Sequence, residues 1–385
     1  MPMGTTDNSR EQAVLVGVVS RGTDRETVDD HLAELGALTE AAGGRAVATL
    51  VQERATLNPR TFIGRGKVDQ LRELVLAHDA SLVIFDDDLR PSQVRTLEKI
   101  LDVQVIDRTG LILDIFVNRA ATREAKIQVE LAQLQYLLPR LAGLWSHLER
   151  QRGGIGLRGV GEKQIELDRR IIRTRIARLK KDLAKVQVQR RTRRKRRQDH
   201  FRVALVGYTN AGKSSLFNAL TSADVRAGNR LFVTLDTTVR SLSGRGGRSV
   251  LLSDTVGFIR KLPHQLVESF KGTLEEAASA DLLLMVVDSS DPGWSDHLRW
   301  SAGVLEELGI GDKQIVYVFN KIDLLDKDRR TELELNSEHP LSIAVSAVSE
   351  VNIDRLRQMI LHVLSGRGRN GTGLSEDTAR STVGT

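Results

Sequence analysis

The chain of 385 residues contains no cysteine. Disulfides, thiolate-bound zinc and thiol nucleophiles are excluded together, and the composition fits a cytoplasmic protein. No apolar run approaches the ~20 residues that a membrane helix needs, so no membrane span is expected. Residues 1–11 are polar and lack an apolar h-region, so no secretory signal is expected either. Aromatic residues make up 4% of the chain and are few near its glycine-rich segment, which makes base stacking a minor expectation there. An acidic excess is also missing: the net charge is +7, the balance of a protein with a polyanionic partner. What is present is a 40% share of hydrophobic residues, enough for packed cores, over a length that suggests two or three folded units.

Apolar, Val-rich runs at 13–20, 47–51, 81–85 and 103–106 alternate with helical patterns at 28–42, 68–76 and 91–101. Pro91 opens the last of these helices, where proline is tolerated. Such alternation predicts a small α/β domain with a parallel sheet. The period then changes. Ile127, Leu131, Leu134, Leu138, Leu141, Trp145 and Leu148 form an a/d seam on one long helix, which Pro139 should kink. A glycine-rich link, Gly153 to Gly161, precedes a second seam: Ile165, Ile172, Ile176, Leu179, Leu183 and Val186. Two such stripes predict an antiparallel helical hairpin, since neither helix buries its stripe alone. The second helix ends in the basic run 190–197.

After a buried strand at 202–206 comes Gly207-Tyr208-Thr209-Asn210-Ala211-Gly212-Lys213-Ser214-Ser215, a match to G-x-x-x-x-G-K-[ST] placed before a helix at 215–220. Backbone N–H groups and the helix dipole would cradle phosphates there. Lys213 would reach the β- and γ-phosphates, and Ser214 would offer its hydroxyl to Mg²⁺. Asp254-Thr255-Val256-Gly257 follows a strand and reads as DxxG, with Asp254 toward Mg²⁺ and the Gly257 amide toward the γ-phosphate. Asn320-Lys321-Ile322-Asp323 follows another strand. A carboxylate at Asp323 accepts both N–H donors of guanine, a pair adenine lacks, while Asn320 supports the base and loop and Lys321 lies along the ring. Ser346-Ala347 resembles a last guanine loop. Thr234, Thr237 and Thr238 are candidates to close over the γ-phosphate and Mg²⁺, and Phe232 and Leu235 flank Thr234 in its favour. Phe258 follows DxxG, and a phenyl ring cannot orient water. A low intrinsic rate follows, to be raised by a partner or an ion; Asn210 is a candidate seat for K⁺.

The expected fold is therefore α/β in three parts: a parallel α/β domain over 12–120, an antiparallel helical hairpin over 121–199 with its tip around 152–162, and a C-terminal P-loop (Ras-like) domain over 200–364. A flexible start, 1–11, and a disordered tail, 365–385, flank them.

The chain also resembles the HflX family of translational GTPases nearly end to end. Beyond the P-loop, the likeness rests on the runs 63–68, 105–116, 129–134, 153–156 and 161–170, and on Asp254 to Arg260. Phe258 is typical of that family, and its switch threonine aligns with Thr234. The chain departs at Val160 and at Thr237, where the family usually has proline. The resemblance implies a monomeric GTP/GDP switch that binds the large ribosomal subunit and its RNA and splits or rescues stalled or hibernating ribosomes. Its hairpin tip would enter the peptidyl-transferase region. Arg152, Gly153, Gly154 and Arg158 at the tip, with Arg193, Arg194 and Lys195 at the helix end, are the expected ribosome contacts, mostly to phosphates. Rival readings are a GTPase serving an RNA-modification partner, an RNA-binding scaffold with a structural nucleotide, and an ATP-assisted RNA remodeller. Gly64-Arg65-Gly66-Lys67 mimics a phosphate loop, but its spacing fits a tight turn into a helix better.

Overall fold

The structure is a computed structural model that describes residues 10–141, 160–195, 200–221, 223, 228, 231, 232, 237–242, 250–261, 276–330 and 340–367, the side chains of 160–165, 187, 189–195, 366 and 367 excepted. The described residues divide into two compact units near Lys185, with Lys261 grouped with the first.

In the first unit, β1 (Gln12–Val19), β2 (Arg45–Glu53), β3 (Leu82–Phe85) and β4 (Gln104–Asp107) form a wholly parallel sheet in the order β2-β1-β3-β4. Six successive residues of β1 are buried, as expected of a central parallel strand covered on both faces. One face meets α2 (Arg65–Ala77) and α3 (Pro91–Leu101): Val14, Val16, Val83, Phe85 and Val105 share a core with Val68, Leu71, Val75 and Leu97. On the other, α1 (Arg25–Ala42) packs on β1 and on α4 (Arg108–Arg119). Each such aliphatic side chain contributes about 1.5–3 kcal/mol on burial. The Gly64 segment is the N-cap turn of α2, with its N–H donated to Gln52 Oε1 (2.8 Å).

Asp107 and Arg108 hold this unit together. Asp107 is fully buried and accepts from Leu89 N (3.1 Å), Gly110 N (2.9 Å), Tyr136 Oη (2.8 Å) and Arg140 Nη2 (2.8 Å). Arg108, also buried, pairs with Glu34 (2.7 Å) and Asp86 (2.9 Å). Burial alone would raise the Asp86 pKa; its basic neighbours, His31 and Arg108 first, hold it below the usual carboxylate range.

Helix α5 (Arg123–Leu137) is capped by Thr122 Oγ1 accepting from Ala125 N (3.1 Å). At Pro139 the helix is interrupted: α5 ends at Leu137, Leu138–Arg140 tighten into a turn closed by Arg140 N donating to Leu137 O (2.8 Å), and Leu141 is helical again, beyond which the chain lies outside the described residues. Proline lacks the N–H and its ring crowds the preceding turn. Trp145 and Leu148 lie outside the described residues. Helix α6 runs from Val160 to Lys195, so Val160, Gly161 and Glu162, expected in the tip, are its first turn. The middle of its seam packs as the spacing predicts: Leu179 and Leu183 are buried against Leu131, with Ile127, Leu134 and Ile176 beside them. Glu130 pairs with Arg175 across it (2.6 Å).

In the second unit, β5 (Phe201–Val206), β6 (Thr238–Leu242), β7 (Val250–Asp254), β8 (Leu282–Asp288), β9 (Ile315–Asn320) and β10 (Ser342–Ala344) give a six-stranded sheet in the order β10-β9-β8-β5-β7-β6. Only β6 is antiparallel, with Thr238 opposite Asp254. α7 (Lys213–Thr221), α8 (Trp294–Glu307) and α9 (Ile353–Arg367) belong to this unit. Leu216, Phe217, Leu356 and Ile360 of α7 and α9 bury against Val203, Leu205, Leu252 and Val316. α9 runs through Ser365 to Arg367, where a disordered tail was expected to have begun; its core-facing stripe, ending at Leu364, carries the last turn along. Residues 368–385 lie outside the described residues.

Candidate active site

The site collects at the C-terminal ends of β5, β7, β8 and β9, where open α/β sheets bind their ligands. Gly207 leaves β5 at φ +136°, and a Cβ there would stand 2.2 Å from Val286 O, so only glycine lets the loop pass this close to β8. Tyr208, Thr209 and Ala211 are buried, Asn210 (φ +61°) is half-buried, and Gly212 leads into α7. The helix begins at Lys213, two residues earlier than the apolar pattern suggests. Lys213 and Ser214 therefore sit in its first turn, where free backbone N–H groups collect. Ser215, behind them, is half-buried.

Lys213 is 6% exposed and its Nζ donates to Gly207 O (3.0 Å) and Tyr208 O (2.6 Å). Burial pushes its amine down to about 8, with Asp254 pulling the other way. Ser214 Oγ donates to Asp254 Oδ2 (2.7 Å), and Asp254 is fully buried at the end of β7. A hydroxyl and a carboxylate so close are hard oxygen donors, the set that suits Mg²⁺. Gly257 lies against the P-loop: a Cβ on it would be 2.7 Å from Thr209 Cα and 2.9 Å from Lys213 Nζ. Phe258 is buried and bridges to the P-loop through its backbone, Phe258 N to Gly207 O (3.0 Å) and Thr209 N to Phe258 O (2.7 Å). Phe232 is buried, and its N–H donates to Thr209 Oγ1 (3.2 Å).

The base-reading motif joins the P-loop through one side chain. Asn320 Nδ2 donates to Ala211 O (2.9 Å), and its Oδ1 accepts from Ala347 N (3.0 Å). Lys321 adopts φ +67° and pairs with Asp288 at 2.6 Å. Asp323 is exposed and accepts from Ser346 Oγ at 2.6 Å. The structure thus brings Gly207 to Ser215, Asp254, Gly257, Asn320, Lys321, Asp323, Ser346 and Ala347 into one sheet-end cluster. Thr234, Leu235, Arg152, Gly153, Gly154 and Arg158 lie outside the described residues. Arg193, Arg194 and Lys195 are in the last turn of α6, their side chains outside them.

Sequence reasoning missed Asp288, which fixes Lys321, and the helix α8 side chains that reach the site. The Tyr208 ring stacks on His297, centroids 4.0 Å apart and planes 8° apart. The clue to Asp288 was a carboxylate closing an otherwise apolar strand.

The second unit carries a match to the 50S ribosome-binding GTPase model over residues 202–321. Models described as GTP-binding GTPase N-terminal and GTP-binding GTPase Middle Region match 29–117 and 119–197. GTPase HflX of Flavobacterium psychrophilum is 51% identical over 81% of this chain and 76% of its own. GTPase HflX of Escherichia coli K12 is 45% identical over 92% of this chain and 83% of its own. The chain belongs to the HflX family of GTPases. Like its HflX relatives, it binds guanine nucleotide and hydrolyses GTP. A crystal structure of SsGBP in complex with GDP matches 93% of this HflX chain and 99% of its own, at 27% identity and a TM-score of 0.51. Among the described residues no helix is long and apolar enough to cross a membrane.

Proposed function

We propose that the chain is a GTP-driven switch that docks on the large ribosomal subunit and dissociates or rescues stalled or hibernating ribosomes. The observation that supports this reading is the clustering of Gly207 to Ser215, Asp254, Gly257, Asn320, Lys321 and Asp323 at one sheet end, in the same chain as a strongly basic helix. Arg173, Arg178, Lys180, Lys181 and Lys185 are exposed along α6, ahead of Arg193, Arg194 and Lys195 at its end. Such a face suits ribosomal RNA phosphates, as do Arg152, Gly153, Gly154 and Arg158 of the expected tip.

In the site, the phosphates take over Lys213 from the two loop carbonyls it now serves, and the loop amides from Tyr208 to Ser215 surround them. Asp323 pairs with the guanine edge, steadied by Ser346, while Asn320 couples the base loop to the P-loop. Lys321 lies along the base plane, held by Asp288, and the Ala347 loop closes its far edge. Ser214, Thr234 and Asp254 would hold Mg²⁺, which when bound neutralises charge on the β- and γ-phosphates. Water attacks the γ-phosphorus, the bond to the β–γ bridging oxygen breaks, and GDP and phosphate leave. Lys213 and the Gly257 amide stabilise the charge that develops, and Thr234 closes over it. Phe258 is buried and offers no hydrogen bond to the water. The unassisted rate is therefore low, and the ribosome and a K⁺ ion seated by Asn210 supply what the chain lacks. Off the ribosome the chain is a monomer.

The test is GTP turnover by the purified protein with and without large ribosomal subunits, in potassium buffer. Stimulation well above the basal rate, lost in Lys213→Ala, is the expected result. A rate that large subunits leave unchanged, with GTP binding intact, removes the ribosome from the account.

A further inference from the structure

Three successive peptide units after Gly257 are tied down from outside the DxxG motif. Phe258 exchanges backbone hydrogen bonds with Gly207 and Thr209. Trp300 of α8 donates its indole Nε1–H to Ile259 O (3.0 Å). Arg260 N donates to Tyr208 Oη (3.0 Å), and the Tyr208 ring is itself stacked on His297 of α8. Ile259, between these ties, is fully buried. His297 and Trp300 lie three residues apart, on one face of α8. That face therefore grips the segment twice, directly through Trp300 and indirectly through the Tyr208 ring. The consequence falls on Gly257, the residue just before. Its backbone is pressed to the P-loop so closely that a Cβ would come within 2.9 Å of Lys213 Nζ. In the role given to it above, that amide would meet the γ-phosphate, which GTP carries and GDP lacks.

We propose that Trp300 and His297 are positioning residues for GTP hydrolysis, holding Gly257 where its amide meets the γ-phosphate. The proposal rests on the role given to Gly257 above. GDP has no γ-phosphate, so the two side chains weigh more on the response to GTP than on GDP binding. Trp300 is 41% exposed, so Trp300→Phe keeps most of the packing and deletes the N–H donor.

The experiment measures GDP affinity, affinity for a non-hydrolysable GTP analogue and the single-turnover hydrolysis rate for wild type, Trp300→Phe, His297→Ala and Gly257→Ala. Loss of one hydrogen bond to a backbone carbonyl lowers analogue affinity and rate by roughly three- to tenfold in Trp300→Phe, with GDP affinity within about twofold of wild type. His297→Ala moves the same two quantities in the same direction. Unchanged analogue affinity and rate in both α8 variants overturn the proposal, as does a parallel loss of GDP and analogue binding, which marks general destabilisation. Gly257→Ala separates the two levels. If it leaves hydrolysis intact, the role given to Gly257 fails. If it abolishes hydrolysis while the α8 variants behave as wild type, only the present proposal fails.

Discussion

At the scale of single residues, the lysine of the P-loop has the most direct solution signature. Lys213 is buried among carbonyl oxygens and titrates near 8, not at its ordinary 10.5. Phosphates favour the charged form, so binding raises this pKa and draws in a proton. In alkaline buffer above about pH 8, GDP binding should take up part of a proton, rising toward one as pH climbs, and affinity should weaken toward tenfold per pH unit. Calorimetry in two buffers of different ionisation enthalpy reads the uptake directly; equal heats in both would refute it. The same shift acts on stability with a definite sign. The unfolded chain holds this proton up to 10.5 and the folded chain releases it near 8, so the nucleotide-free protein gains stability across that interval as pH rises. The residue types at these positions were legible in the sequence because phosphate, metal and guanine each demand particular donors at fixed spacing. Asp288, His297 and Trp300 were not, because each meets its partner from far along the chain, and no local spacing announces it.

At the scale of elements, apolar periodicity located the first unit's four strands and its helices α1 to α3, but not α4, β6, β8, α8 or α9, and the other surprises lie at element ends. α5 breaks off at Leu137, just ahead of Pro139, and Arg140 beyond it is latched. Its guanidinium donates to Asp107 Oδ2 (2.8 Å), Leu89 O (3.0 Å) and Tyr136 O (3.0 Å), and lies 3.6 Å over the Tyr136 ring. The run from Val105 to Phe116, a mark of family likeness in the sequence, is thus the anchorage of the first unit's sheet to α5. Arg140→Leu leaves Asp107 three donors but removes its charged hydrogen bond, worth about 1.5–3 kcal/mol, together with the two carbonyl bonds and the ring contact, so a loss of at least about 2 kcal/mol is expected. Chemical denaturation monitored in the first unit checks this; a loss under about 0.5 kcal/mol would mean the latch is ornamental. A pattern of apolar spacings carries no record of such an anchor, since the polar partners lie on three separate segments.

At the scale of the whole molecule, the two units have separate apolar cores: Val16, Leu71, Phe85 and Leu97 in the first, Leu205, Phe217, Leu252 and Leu356 in the second. Every residue assigned to the nucleotide belongs to the second. Calorimetry should therefore resolve two transitions, of which saturating GDP raises one by several degrees. At a hundredfold excess over Kd that amounts to about 2.7 kcal/mol. One transition, shifted as a whole by GDP, would show that the units melt together. Chain length foretold more than one unit, but not which core would sense the ligand.

The rung that sets Thr238 opposite Asp254 has a kinetic meaning. It closes one end of a hairpin whose other end, Leu242 opposite Val250, is buried on both sides. When the rung at the nucleotide end opens, the strands stay joined at the far end, and re-pairing is a local event instead of a search through the chain. Hairpins of this kind zip in about 1–10 μs. Re-pairing at the nucleotide end is accordingly a microsecond event that the buried Leu242–Val250 end makes local.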